Sequence, residues 1–429
     1  MRAFTAGVML VASASFAETL TVEEAVRRAL DSSPQVQAAR ERRDAALDSA
    51  RSVRGQLLPS VALADDLQHY SGPFSVALTI PGSPVSPSLT VRDQNTNTFV
   101  VSGKQPLVGL LKLSQDFSAA NSSGAAAEAQ LVNAERSMRE SIESGFLRLF
   151  EARAARDVAK SSQVQLAEQL TVSKARVEAG AMTTADVLRV EVARANMQQQ
   201  ELQAGVQESA ARTQLLTLLG VSLDADLEFT EPTELEAEAE KPAPALSEAT
   251  STALEQRADL KQQLHLLDGA QATSRSRLFA LLPDIDLTAA YVRVDGQALA
   301  QKDSAYIGVH ASWPLWLWGT QWYAHRAAAH QAEATRLAAD DAGRMVRGEV
   351  SGRIDQLRAA TAAIEVAKTA LSSAEEAYRV TAAVVQAGSG TTTDLLDAQS
   401  ALTQSKLNLV RSKYQQALAR VQLRRAMGG

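Results

Sequence analysis

Cysteine is absent from the 429 residues. That single absence excludes disulfides, thiolate metal sites, cysteine nucleophiles and an N-terminal lipid anchor on Cys. Aromatic residues make up only 4% of the chain and Ala is abundant, which favours closely packed helices over one large globular core. Proline is missing altogether from Leu107 to Glu231. No stretch after the N-terminus reaches the ~18 to 20 apolar residues of a spanning helix. Missing too are a phosphate-binding G-x-x-x-x-G-K-[ST] loop, an H-E-x-x-H pair and a G-x-S-x-G nucleophile turn, so nothing points to an enzyme. His325 and His330 lie five apart without a neighbouring carboxylate pattern and read as surface or interface residues. No metal or cofactor is expected. The net charge of −6 and the lack of a basic patch interleaved with aromatics argue against nucleic acid as a partner.

What is present is a repeat. Gly388 to Asp397 interrupts a long Ala-rich helical pattern with two glycines, then restarts it behind three threonines and Asp394, which is read as the N-cap of the new helix. The same helix-turn-helix tip stands at Gly180 to Arg189, with Gly180, Asp186 and Val187-Leu188 matching Gly388, Asp394 and Leu395-Leu396. The offset also carries Pro106-Leu107 onto Pro314-Leu315 and Gly220 onto Gly428. Upstream, a larger offset carries Ala25 onto Ala249, Leu30 onto Leu254, and Leu57-Leu58-Pro59 onto Leu281-Leu282-Pro283. The first half therefore holds about sixteen extra residues, placed where Pro81 to Pro87 reads as a loop.

The expected organisation follows. Met1-Arg2, the apolar run Phe4 to Phe16 and the small residues before Glu18 look like a secretory signal peptide over 1–17. A first repeat spans 18–220, with a β-hairpin over 60–106, a long helix over 112–179 and a tip over 180–186. An acidic, Pro-containing and mostly solvated linker covers 221–245. The second repeat, 246–429, has its hairpin over 283–315, long helix over 320–387 and tip over 388–394. At 1.5 Å per residue each long helix would run roughly 100 Å, and its narrow apolar stripe must be buried along other helices, as in a coiled-coil barrel or bundle. Gly145 and Gly205 are the kind of small residue that lets helices approach.

The strands of the second half alternate clearly. Ile285, Leu287, Ala289 and Tyr291 share one face, and Ala305, Ile307, Val309 and Ala311 share one face of the returning strand, opposite Tyr306, Gly308, His310 and Ser312. The first-half strands are expected over Ser60–Gln68 and Thr98–Pro106, with Asp65 standing where an apolar residue is wanted. Such alternation fits a transmembrane β-strand and equally a half-buried strand of a soluble sheet. All four tryptophans, Trp313, Trp316, Trp318 and Trp322, cluster with Tyr323 at the end of the last strand. They are read as an interfacial aromatic girdle or else as a local core between strand and helix. Four strands cannot close a barrel, so if they cross a membrane several copies must share one.

Leu20 to Pro34, Leu57-Leu58-Pro59, Pro314-Leu315, Ala387-Gly388 and Asp394-Leu395-Leu396-Asp397-Ala398, in that doubled order, give the chain a resemblance to the TolC-type outer-membrane efflux proteins over essentially its whole length after the leader. The resemblance implies a mainly α fold with a small transmembrane β part: tandem-repeat long helical hairpins forming a trimeric α-barrel across the periplasm, and four β-strands per chain contributing to a shared twelve-stranded β-barrel in outer-membrane lipid. It implies a homotrimer without cofactor that serves as exit duct of a tripartite efflux pump or type I secretion system, joined to an inner-membrane transporter through a periplasmic adaptor protein. Carried over residue by residue, Asp394 and Asp397 match the aspartate pair of the periplasmic constriction, with Asp186 as the first-repeat counterpart of Asp394. Gly180, Ala181, Met182, Gly388, Ser389 and Gly390 match the adaptor-docking tips. Val385 and Gly390 stand where latched members carry a tyrosine and an arginine, so closure here is either looser or uses Arg189 instead. The other reading of the residues is an exported coiled-coil structural protein or adhesin.

Overall fold

The computed structural model describes residues 18–78, 81 and 87–429; the expected signal peptide and most of the Pro81 to Pro87 loop lie outside the described residues. In chain order the elements are β1 (Glu18–Leu20), α1 (Val22–Ser32), α2 (Pro34–Gly55), β2 (Ser60–His69), β3 (Phe74–Ala77), β4 (Ser88–Pro106), α3 (Gly109–Glu178) and α4 (Thr184–Leu219). There follow β5 (Leu227–Phe229), α5 (Thr233–Ala239), α6 (Leu246–Gln256), α7 (Ala258–Phe279), β6 (Asp284–Gln297), β7 (Asp303–Ser312), α8 (Thr320–Gln386) and α9 (Thr392–Ala426).

The two halves superpose in their numbering. Helices α1 and α6, and α2 and α7, have the same lengths and start 224 residues apart, at 22 and 246 and at 34 and 258. The break between α1 and α2 has a covalent cause: Pro34 forces Ser33 into the extended region, at φ −66° and ψ 122°. The second half makes the same break at Arg257, φ −62° and ψ 123°, with alanine following instead of proline. There tertiary contacts take over, since the Arg257 guanidinium donates to Glu349 Oε2 at 2.5 Å and to the Ala426 carbonyl at 3.4 Å.

The chain divides into two compact units. Of the described residues the first comprises 18–40, Leu131–Ala258 and Gly343–Gly429. Its core brings Val26 of α1, Ile142, Phe146 and Leu149 of α3, and Leu215, Leu216 and Leu219 of α4 together, with Phe229 set edge-on to Phe146 at 5.3 Å. Gly145 is needed there, because a Cβ would stand 2.6 Å from Leu215 Cδ2; at Gly205 the nearest group is Arg156 Nε at 3.9 Å, so no close approach explains that glycine. The 221–245 segment departs from the solvated linker of the sequence reading. Its β5 pairs in parallel with β1, and α5 lays Leu235 and Ala239 against Leu147, Tyr414, Ala417 and Val421. Leu20 belongs to β1, and Thr21 caps α1 in a capping box with Glu24.

The second unit comprises Glu41–Gln130 and Asp259–Ala342. Its sheet has the order β2-β4-β6-β7, antiparallel throughout, with β3 pairing on the outer part of β4. Strand β4 begins at Ser88, ten residues before the expected Thr98, so the hairpin continues well beyond the two expected strands. Strand β7 ends at Ser312, which leaves Trp313 to Trp318 in the turn before α8. Among the described residues no helix is long and apolar enough to cross a membrane.

Candidate functional site: tips and strand faces

Both tips are built by the same local chemistry. Helix α3 ends in paired bonds, Ala181 N–H to the Arg176 carbonyl at 2.8 Å and Gly180 N–H to that of Val177 at 2.9 Å, with Gly180 at φ 69°. Helix α8 ends likewise, Ser389 N–H to Val384 at 3.1 Å and Gly388 N–H to Val385 at 3.2 Å, with Gly388 at φ 83°. This is the left-handed helix stop that glycine makes without steric cost. Gly180, Ala181, Gly388 and Ser389 are exposed, whereas Met182 and Gly390 are half-buried, Gly390 lying against Val384 and Val385.

The returning helices start with capping boxes, and here the structure corrects the sequence reading. The N-caps are Thr183 and Thr391; Asp186 and Asp394 occupy the third helical position. Asp394 N–H donates to Thr391 Oγ1 at 3.1 Å, while Asp394 Oδ2 accepts from Thr391 N–H at 3.2 Å and Thr391 Oγ1 at 2.6 Å. Asp186 makes the same set with Thr183. The threonine hydroxyls first, joined by the backbone N–H groups, hold both carboxyls below the ordinary carboxylate value. Asp397, one turn on from Asp394, is exposed and has no hydrogen-bond or ion-pair partner among the described residues. Arg189 does not reach it: its guanidinium donates to Asp186 Oδ1 at 3.2 Å and to Thr393 Oγ1 of the other tip at 3.3 Å. A second crossing contact, unremarked in the sequence, is Arg176 Nη1 to the Val385 carbonyl at 3.3 Å. Its only sequence signal is a basic residue in the last turn of α3.

In the sheet, the register places Val61, Leu63, Asp65 and Leu67 of β2, Phe99 and Val101 of β4, Leu287, Ala289 and Tyr291 of β6, and Ala305, Ile307 and Val309 of β7 on one face. Val61, Leu63, Leu67, Ile307 and Val309 are 65% to 77% exposed in the single chain, so this apolar face has no protein cover. The opposite face carries Asp66, Ser102, Lys104, Asp286, Thr288, Tyr306 and His310. Both buried residues of β6, Asp286 and Ala290, lie on that polar side, and Lys104 Nζ pairs with Asp286 Oδ2 at 2.8 Å. A sheet with one polar face and a bare apolar face suits a lipid-facing wall around water. Trp313, Trp316, Trp318, Trp322 and Tyr323 are all more than half exposed, which removes the reading of a local core. Trp318 is held at φ 51° beside Gly319 at φ 76°.

Comparison with known proteins gives the family. The profile described as "Outer membrane efflux protein" matches residues 25–221 and again 249–429, once per repeat. The outer membrane efflux protein BepC of Brucella suis is 22% identical over 338 residues, 78% of this chain and 73% of that protein. The alkaline protease secretion protein AprF of Pseudomonas aeruginosa is 26% identical over 62% of this chain and 56% of its own length. Among solved structures, the outer membrane protein VceC of Vibrio cholerae is similar at a TM-score of 0.81 and 19% identity, covering 95% of this chain and 96% of that one. CusC is similar at 0.83 and 14% identity, covering 95% and 92%. The chain therefore belongs to the outer membrane efflux protein family: it is a passive channel of the outer membrane with a periplasmic helical extension, and not an enzyme.

Proposed function

We propose that three copies of this chain form one continuous duct, the β strands closing a twelve-stranded barrel in outer-membrane lipid and the long helices an α-barrel across the periplasm. The observation that carries this reading is the sheet itself. Its outer face is bare and apolar, yet β2 and β7 are open edges, and lipid tolerates no open edge. The family's members work as trimeric channels with adaptor proteins in efflux and secretion systems. On this reading Gly180, Ala181, Met182, Gly388, Ser389 and Gly390 dock on a periplasmic adaptor, and an inner-membrane transporter feeds the duct.

Asp394 and Asp397 are the proposed constriction. They lie three apart on α9, hence on one helical face, and threefold repetition stacks two rings of carboxylates near the tips. Asp186 contributes less, because Arg189 neutralises it, and Arg189 with Arg176 ties the two tips of one chain together. Asparagine is the substitution that separates charge from capping at Asp394, since it keeps an acceptor at the third helical position. Asp394→Asn with Asp397→Asn is expected to lower the cation preference of single channels in planar bilayers and to relieve block by multivalent cations, while Asp186→Asn changes both much less. An unaltered reversal potential in a salt gradient for the double variant would move the selectivity ring elsewhere in the duct.

A further inference from the structure

The edge strands of the sheet carry more information than their being open. In an antiparallel ladder the N–H and C=O of one residue point the same way, and successive residues alternate sides. Tyr70 N–H donates to the Gln94 carbonyl at 2.8 Å and Val294 N–H to the Lys302 carbonyl at 2.9 Å. Even-numbered residues thus turn from β2 toward β4 and from β7 toward β6. The bond from Leu107 N–H to the Ile285 carbonyl, 2.8 Å, places the β4 to β6 ladder on odd numbers, as the alternation requires. The free edges are therefore the odd-numbered backbone groups, from Val61 to His69 on β2 and from Asp303 to Ala311 on β7.

We infer that β7 of one copy pairs with β2 of the next in a single register, Ser60 opposite the partner's Ser312 through His69 opposite the partner's Asp303. This rests on the shared-barrel reading above and adds to it which residues meet. Two requirements, coupled by the chirality of the strand, give the same parity. Free backbone groups must meet free backbone groups, odd with odd, and the apolar face must continue across the seam, which again sets odd against odd. Registers that obey both differ by slips of two residues.

Completeness and tilt choose among them. Each edge strand has ten residues, and only the stated register leaves none unpaired. Within the chain one row of partners runs Ser60, Lys104, Thr288, Gly308. In the stated register Gly308 meets the partner's Ala64, an advance of four residues for every four strands. With about 3.3 Å per residue and about 4.8 Å between strands, that advance tilts the strands by about 35°, whatever the number of copies. Outer-membrane barrels tilt by about 35 to 45°. Slipping so that Gly308 meets the partner's Ala62 gives a tilt of about 20° on the same spacings, too shallow. Slipping the other way, to the partner's Asp66, gives about 45° but leaves Ser60, Val61, Asp303 and Ser304 without ladder partners. The seam then sets Leu63 beside the partner's Val309 on the lipid side and Asp66 beside the partner's Tyr306 on the lumen side.

The absence of cysteine makes the register directly readable by cross-linking in the full-length channel. Even-numbered pairs across the seam are non-hydrogen-bonded, with Cα atoms about 4.5 Å apart, inside the range a disulfide spans. Ala62→Cys with His310→Cys, on the water-filled face, is expected to convert most chains under mild oxidation into a covalent trimer that reductant dissolves. Within one chain these positions are separated by β4 and β6, so the bond can form only between copies. Ala64→Cys with Gly308→Cys is a second matched pair and is expected to behave alike. The slipped pairs, Ala62→Cys with Gly308→Cys and Ala64→Cys with His310→Cys, are expected to stay mostly monomeric on denaturing gels. Cross-linking of a slipped pair in preference to the matched pairs overturns the register while leaving the barrel intact. No cross-link in any pair, from a parent that still runs as a heat-resistant trimer, overturns the edge pairing. A parent that is not trimeric in detergent fails the shared-barrel reading itself. If both matched pairs block assembly where the slipped pairs permit it, the register is also wrong.

Discussion

Glu143 is 1% exposed in the helical core, and its carboxylate is held by the Arg424 guanidinium and by Arg139 Nη1 at 3.6 Å. Arg424 also reaches Glu238 Oε2 of α5 at 2.7 Å, so one side chain ties α9 to α3 and to the segment between the repeats. Burial raises the Glu143 carboxyl above its ordinary value and outweighs the arginines that lower it. Breaking such a pair from one side typically costs about 3 to 5 kcal/mol, and Arg424→Met is expected near the lower end because Arg139 remains. The sign of the pH dependence follows from the direction of the shift. A carboxyl whose folded value is raised contributes stability fully present below 4.5 and lost as pH rises through the raised value. The deficit of Arg424→Met in thermal melting should therefore be larger at about pH 7 than at about pH 5. A deficit that is the same at both pH values would show that Glu143 is not left ionised and unpaired. At the tips, Thr391→Ala removes a cap worth about 1 kcal/mol, and with it the hydroxyl that bonds Asp394 Oδ2, while both carboxylates stay in the chain. Amide exchange should quicken at Leu395 and Leu396 with cation preference unchanged, and altered selectivity would mean that fraying, not charge, governs the constriction.

At the scale of the element, the test falls on the bare face of β7. Ile307→Arg or Val309→Arg places a guanidinium in lipid at a cost of about 2 to 4 kcal/mol per chain near the bilayer midplane. Both are expected to reduce the heat-resistant oligomer recovered from outer membranes, and normal recovery of both would turn the apolar face away from lipid. The same face shows what was legible in advance. Ile285 to Tyr291 and Ala305 to Ala311 are readable as strands because one face of each is apolar at a period of two. The first ten residues of β4, Ser88 to Asn97, are not. After Leu89 and Val91 the residues Arg92 to Asn97 are all polar and show no period, and the segment adjoins a Pro-rich stretch that signals loop. Burial also concealed β5 and α5: Leu227, Phe229, Leu235 and Ala239 point inward, but three and seven residues are too few for periodicity to register among glutamates and prolines. At the tips the glycines and the repeat of Thr with Asp announced the turns. Which residue caps was a matter of hydrogen bonds, since Thr391 and Asp394 are both good N-cap residues and only the reciprocal bond assigns them.

For the whole molecule, connectivity decides which end faces which compartment. The four main strands alternate in direction, so the turn joining β6 to β7 and the segment joining β2 to β4 lie at one end of the sheet. From the other end leave α2, α3, α7 and α8, of which α3 and α8 lead to the tips. In an outer-membrane channel with a periplasmic helical extension, the end without helices must be external. An epitope inserted at Ala300, in the turn between β6 and β7, should bind antibody on intact cells, as should one at Ser86 in the first-half insertion. One inserted at Ser389 should be reached only after the outer membrane is permeabilised. Shortening the first-half insertion by about sixteen residues, to the length of the second half, removes β3 with the loop but should leave assembly intact, because the pairing of β2 with β4 lies at 95–104 and loop closure costs change slowly with length. Labelling at Ser389 on intact cells, or none at Ala300, would reverse the barrel in the membrane and detach the tips from any periplasmic partner.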